Sequence, residues 1–190
     1  MINDFLDIVL EDFQGFLQSG QDLCKLWDTH FDAGRIPDYS DINIQQLYLL
    51  RYAYAYAFEY KYMYQFLLRQ FPRLSIVEVT SVGCGSMVDY WSLSRVVGDS
   101  CTIDYRGIDT IEWFYQFPAR PGDSVGYYCE NAVDFLRQEE LSSDVYIFPK
   151  SISEFSLNEV TQIAECFSPK GILKDRVHFL FSLRTDQGSM

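Results

Sequence analysis

Phe5, Ile8, Val9, Phe13, Phe16 and Leu17 recur at spacings of three and four, the pattern of a helix with one apolar face. The Ser19-Gly20 pair ends that helix, and Leu23, Leu26 and Trp27 continue the pattern in a second, shorter one. Gly34 and Pro37 mark the stretch from Asp32 to Asp38 as a loop. Ser40 or Asp41 then supplies a side chain able to cap a long helix. Inside it stands RYAYAYAFEYKYMYQF, with an aromatic at every even position from Tyr52 to Phe66. A period of two suggests a strand, but one of unusual length, and the interleaved Ala53, Ala55, Ala57, Glu59, Lys61, Met63 and Gln65 are mostly strong helix formers. As a helix the run makes two rows, Tyr52, Tyr56, Tyr60, Tyr64 and Tyr54, Phe58, Tyr62, Phe66. Two residues advance a helix by about 200°, so the rows lie on roughly opposite sides. The expectation is one continuous helix with both rows covered, wedged between a sheet and the remaining N-terminal helices. A dimer face or an aromatic substrate wall is the alternative.

From residue 75 the pattern changes. The β-rich runs 75–82, 101–109, 124–130, 144–148 and 176–183 alternate with helix-compatible stretches at 86–97, around 111–117, 132–140 and 156–167. Ser156 and Glu159 have the spacing of a capping box. Strands separated by helices predict an α/β fold: a doubly wound, mainly parallel sheet of about five strands with helices on both faces. An N-terminal helical cap (1–72) precedes it, and the sheet domain spans 73–190.

Charge narrows the function classes. The chain has 190 residues with 27 acidic and 15 basic side chains, a formal charge of −12, and both halves are acidic. Phosphate neutralisation supplies most of a nucleic-acid binder's affinity, so a bulk nucleic-acid partner is disfavoured. No apolar run reaches the length of a membrane span, and acids stand where a signal peptide carries bases, so a cytoplasmic protein is expected. Cys24, Cys84, Cys101, Cys129 and Cys166 are widely spaced, and only His30 and His178 could join them, so neither a metal site nor a disulfide framework is expected.

The candidate chemistry lies where the first strand runs into Val82-Gly83-Cys84-Gly85-Ser86 before a helix. Glycines there let the backbone approach a ligand, and the helix start presents free N–H groups. The second strand ends at Asp109, 26 residues after Gly83, where an acid can accept hydrogen bonds from a ribose diol. Val88 stands where the dinucleotide fingerprint needs glycine or alanine, and no P-loop Gly-Lys-Ser/Thr occurs.

What remains, over about residues 75–183, resembles the class I S-adenosylmethionine-dependent methyltransferases, whose first motif reads hydrophobic-hydrophobic-x-x-Gly-x-Gly. Residues Val79 to Ser86 match that motif, Asp109 the ribose-binding acid, Glu130-Asn131-Ala132 the adenine-binding place, and Asp144 to Ser151 the motif beside the methyl group. The resemblance implies S-adenosylmethionine as cofactor, held by Ser81, Gly83, Cys84, Gly85, Asp109, Asn131 and Phe148. No base is forced; Glu154 as a base and Lys150 as a partner for an anionic substrate are the candidates. The sequence does not name the methyl acceptor, small molecule or protein. Ser81 replaces the family's usual acid, Met87 a common third glycine, and the Asn/Asp-Pro-Pro-Tyr form is missing. These departures carry the alternative, a non-catalytic binding or interaction protein on the same fold.

The family's usual sheet has seven strands, and the residues after 183 are too few for two more. Five strands in the order 3-2-1-4-5 are therefore expected, with a truncated form of a longer protein as the simplest reading. Residues 176–183 would form an edge strand, apolar on both faces, and covered by the N-terminal helices or by a partner strand in a homodimer.

Overall fold

The protein is described by a computed structural model over residues 2–19, 26, 37–70, 75–138, 141–168 and 176–183. The amphipathic start forms α1 (Ile2–Gln18), and the aromatic run lies within α2 (Ile42–Leu68), unbroken over 27 residues. Asp41 caps α2, accepting the Asn43 N–H at 2.9 Å. Leu23 and Trp27 of the expected second helix lie outside the described residues, and Leu26 is helical.

Five strands follow: β1 (Ile76–Val82), β2 (Thr102–Asp109), β3 (Ser124–Cys129), β4 (Val145–Pro149) and β5 (His178–Ser182). All pair in parallel, in the order β3-β2-β1-β4-β5, a Rossmann-like arrangement. Helices α3 (Val88–Val97), α4 (Ala132–Gln138) and α5 (Leu157–Cys166) connect them, the last opened by the capping box of Ser156 and Glu159.

Alternation along the strands sorts side chains between two cores. Val77, Val79, Ile103, Tyr105, Val145 and Ile147 face α1, α2 and α3 in one. Val82, Ile108, Tyr146 and Phe148 face α4 and α5 in the other. Ala53 and Ala57 let α2 approach α3 closely, where Ser92 Oγ donates to the Ala57 carbonyl at 2.9 Å. The cap and the sheet therefore share one continuous core.

Two expectations are corrected. The stretch around 111–117 is not a helix. Trp113, Tyr115 and Phe117 are buried while Phe114 is exposed, a period of two. Gln45 of α2 clamps this segment: its amide donates to the Glu112 carbonyl at 3.0 Å and accepts the Phe114 N–H at 2.9 Å. Alternating aromatics fit an extended segment held by side-chain bonds better than a helix turning its rings to all sides.

The second correction concerns the outer aromatic row. Tyr60 and Tyr64 are buried, but Tyr54, Phe58, Tyr62 and Phe66 remain 55%, 63%, 58% and 70% exposed. α1 packs along α2 and meets the outer row at Tyr54, whose hydroxyl donates to Asn3 at 2.7 Å. The edge strand was expected to be covered by the cap or by a partner strand. The cap reaches β5 at its end, where Ser182 donates to Glu59, yet Phe179 and Phe181 stay 38% and 51% exposed on the opposite face.

Candidate functional site

The order of strand addition reverses between β1 and β4, since the sheet grows to β2 and β3 on one side and to β4 and β5 on the other. Ligands in open α/β sheets bind at the carboxyl ends of strands at such a point. A cavity of about 280 Å³ opens there, lined by Gly83, Cys84 and Gly85 after β1, Asp109 after β2, Asn131 before α4, and Lys150, Ser151 and Glu154 after β4. This lies just below the usual range for small-molecule pockets, about 300–1,000 Å³.

Backbone strain concentrates at its rim. Gly83 (φ 73°), Gly85 (φ 53°), Met87 (φ 61°) and Lys150 (φ 60°) are all left-handed. A Cβ on Gly83 would run into the Ser151 side chain, whose hydroxyl donates to the Val82 carbonyl at 2.5 Å. One on Gly85 would meet the Trp113 ring at 3.4 Å. Met87 adopts the conformation that a glycine would take at no steric cost, so the missing third glycine changes the residue and not the turn. Strain held in non-glycine residues clusters at functional sites.

Asp109 ties the site together. One carboxylate oxygen accepts the Gly85 N–H at 2.9 Å and the other the Ile111 N–H at 3.0 Å. A carboxylate has about four acceptor positions, so both oxygens keep capacity for a ligand hydroxyl. Burial lifts its carboxyl above the usual range, opposed by the Gly85, Ile111 and Thr110 N–H groups and the Trp113 indole. The Trp113 indole N–H, buried in the wall, closes no hydrogen bond, although it lies near enough to Asp109 to favour the carboxylate.

The remaining sequence candidates divide. Cys84 is buried on the wall with its sulfur against Gly107; burial, then Asp109 and Asp89, pushes its thiol well up, so it acts by size and not as a nucleophile. Asn131 Oδ1 caps α4, accepting the Val133 N–H at 2.8 Å, while the residue lines the cavity. Lys150 Nζ lies 2.8 Å from Glu59, donates to the Leu183 carbonyl at 2.9 Å and sits 5.4 Å from the Tyr56 ring centre. Its charge is thus matched by Glu59. Glu154 stands exposed at the rim. Ser81 and Phe148 are not among the lining residues: Ser81 is buried beneath the turn, and Phe148 stacks on Phe181 in the core behind the sheet.

The opposite wall is aromatic, which the sequence offered for α2 only as the alternative reading. Tyr39, Tyr48, Tyr56, Tyr60 and Trp113 line it, their rings in mutual contact at 5.3–6.1 Å. Half of the inner aromatic row is therefore a cavity wall. The signal was present in the row itself, but its pairing with Tyr39 and Trp113 is a tertiary fact. Beneath the site, Asp89 is buried and receives the Tyr105 hydroxyl at 3.0 Å. No protein-family model matches the chain, and no curated protein matches it.

Proposed function

We propose that this protein binds S-adenosylmethionine in the cavity at the ends of β1, β2 and β4 and transfers its methyl group to an acceptor. The observation that carries this reading is the convergence of Gly83, Gly85 and Asp109 on one ligand-sized cavity at the reversal of the sheet. The acceptor capacity left on Asp109 fits a ligand that offers a sugar diol. Asp109 would receive the ribose hydroxyls, Asn131 would border the base, and the Gly83–Gly85 turn would lie against the middle of the ligand. The cofactor supplies an activated methyl group when bound. The protein's part is to align the acceptor in line with the methyl–sulfur bond and to exclude water.

Calorimetry with S-adenosylmethionine and S-adenosylhomocysteine tests the reading without knowledge of the acceptor. Both should bind, and Asp109→Asn should weaken each by about 1.5–3 kcal/mol through loss of charge-assisted hydrogen bonds. Unchanged affinity in a folded variant would remove the ribose role of Asp109. A wild-type protein that binds neither would end the reading. The buried, uncharged Ser81 in place of an acid favours the second reading, a non-catalytic binding protein. Binding with no transfer to any acceptor would select it.

A further inference from the structure

The outer row of α2 takes no part in the cavity: Tyr54, Phe58, Tyr62 and Phe66 are each more than half exposed, and none lines it. The one other exposed position between Tyr54 and Phe66 is Ala55, so this face carries no charge over about three turns. Phe58 and Tyr62 at its centre touch edge to face, with ring centres 4.7 Å apart. α1 extends the strip. It runs antiparallel to α2, because Asn3 meets Tyr54 while Asp12 and Gln46 share the Tyr115 hydroxyl. Leu10 and Leu17 follow Asn3 at intervals of seven, hence on the same side of α1, and both are exposed. Enriched aromatics and absent charge are the composition of an interface core. An aromatic side chain buries about 150–250 Å², so the exposed parts of the four rings amount to about 500 Å² per copy. Two such faces together remove about 1,000 Å² from water, the least that a specific pair of proteins uses.

We propose that a second copy of this chain docks on the outer row, the two α2 helices antiparallel about a two-fold axis between Phe58 and Tyr62. Such an axis makes every contact twice, setting Phe58 against Tyr62 and Tyr54 against Phe66 of the other copy. Charge selects this direction. Arg69 of the second copy comes level with Asp7, one turn after Asn3 on α1, while Arg51 at that level folds over its own Tyr52 ring at 5.3 Å. A parallel pair would instead bring Arg69 to Arg69, at the end of α2 that α1 does not reach, and like charges there cost affinity. The inner row of the same helix walls the cavity, so the pairing joins two cavities back to back. The small area makes it reversible, with copies apart below about 1 μM and paired above about 100 μM.

Sedimentation velocity on the full chain across that range is the test, and it needs no ligand. The wild type should pass from monomer to dimer and stop there, because a two-fold contact closes on itself. Phe58→Lys should raise the midpoint concentration at least about tenfold, while its unfolding in dilute solution stays that of the wild type. Phe181→Lys, on the exposed face of β5, should leave the midpoint in place. An equal mixture of Phe58→Lys and Tyr62→Glu copies should pair more tightly than either alone, since the register sets the introduced ammonium against the introduced carboxylate. A wild type that stays monomeric at about 200 μM, or that grows past a dimer, overturns the proposal. So does association that Phe181→Lys removes and Phe58→Lys leaves intact, or a mixture no tighter than its components. Loss of stability in dilute Phe58→Lys would overturn it as well, because the chain itself would then cover the row.

Discussion

Asp89 opens α3 inside the core, where its carboxyl receives the Tyr105 hydroxyl at 3.0 and 3.1 Å. Burial is the largest influence on it and lifts its pKa from 3.8 to about 6, against the opposing pull of Ser81 and Tyr105. The fold therefore prefers the neutral acid. Between about pH 4 and 6 the folded state holds more protons here than the unfolded chain, so stability is full below that window and is lost as pH rises through it. A shift of about two units corresponds to about 3 kcal/mol. Urea unfolding across this range should show the loss, and Asp89→Asn should flatten that part of the profile. Parallel profiles for the two proteins would refute the assignment. The acid was visible in the sequence, but its burial was not, because an Asp in a first helical turn is ordinarily a solvated partner of the helix dipole. Gly83 and Gly85 were legible for the opposite reason: two glycines between a strand and a helix mean a left-handed turn, and at Gly83 the Ser151 side chain also fills the space a Cβ would need.

At the scale of the element, α2 carries two aromatic rows with opposite fates. Helix formers between the rings made its continuity readable, since 3.6-residue geometry is a property of the local chain. Whether a row is covered depends on what packs there, which no local pattern encodes. The same limit explains the segment around 111–117, whose partner is Gln45, 69 residues before Phe114. The difference between the rows is measurable. Tyr64, fully buried, should cost about 3–5 kcal/mol of stability on truncation to alanine, in the range of large core aromatics. Phe66, which is 70% exposed, should change stability by no more than about 0.5 kcal/mol when replaced by serine. Comparable losses for both substitutions would mean that the outer row is covered in solution.

For the whole molecule, alternating strands and helices made a parallel α/β sheet readable, whereas the order β3-β2-β1-β4-β5 was expected from the resemblance to the methyltransferase fold and not from the pattern alone. That order also fixes where the cavity lies. Among the described residues it leaves β5 with one neighbouring strand, and that edge makes a specific forecast. The His178 N–H donates to the Asp144 carbonyl at 2.9 Å, and the Ser182 carbonyl accepts the Lys150 N–H at 3.0 Å, so both residues turn their backbone groups toward β4. Successive residues of a strand point these groups to opposite sides, so Leu180 faces β4 as well, while Phe179 and Phe181 present theirs outward. Amide exchange in dilute solution should therefore alternate, slow at His178, Leu180 and Ser182 and fast at Phe179 and Phe181. Uniform protection at every dilution would contradict an open edge. Protection of Phe179 and Phe181 that grows with protein concentration would come from a second copy adding its strand to β5, where their exposed rings supply the apolar surface such pairing buries.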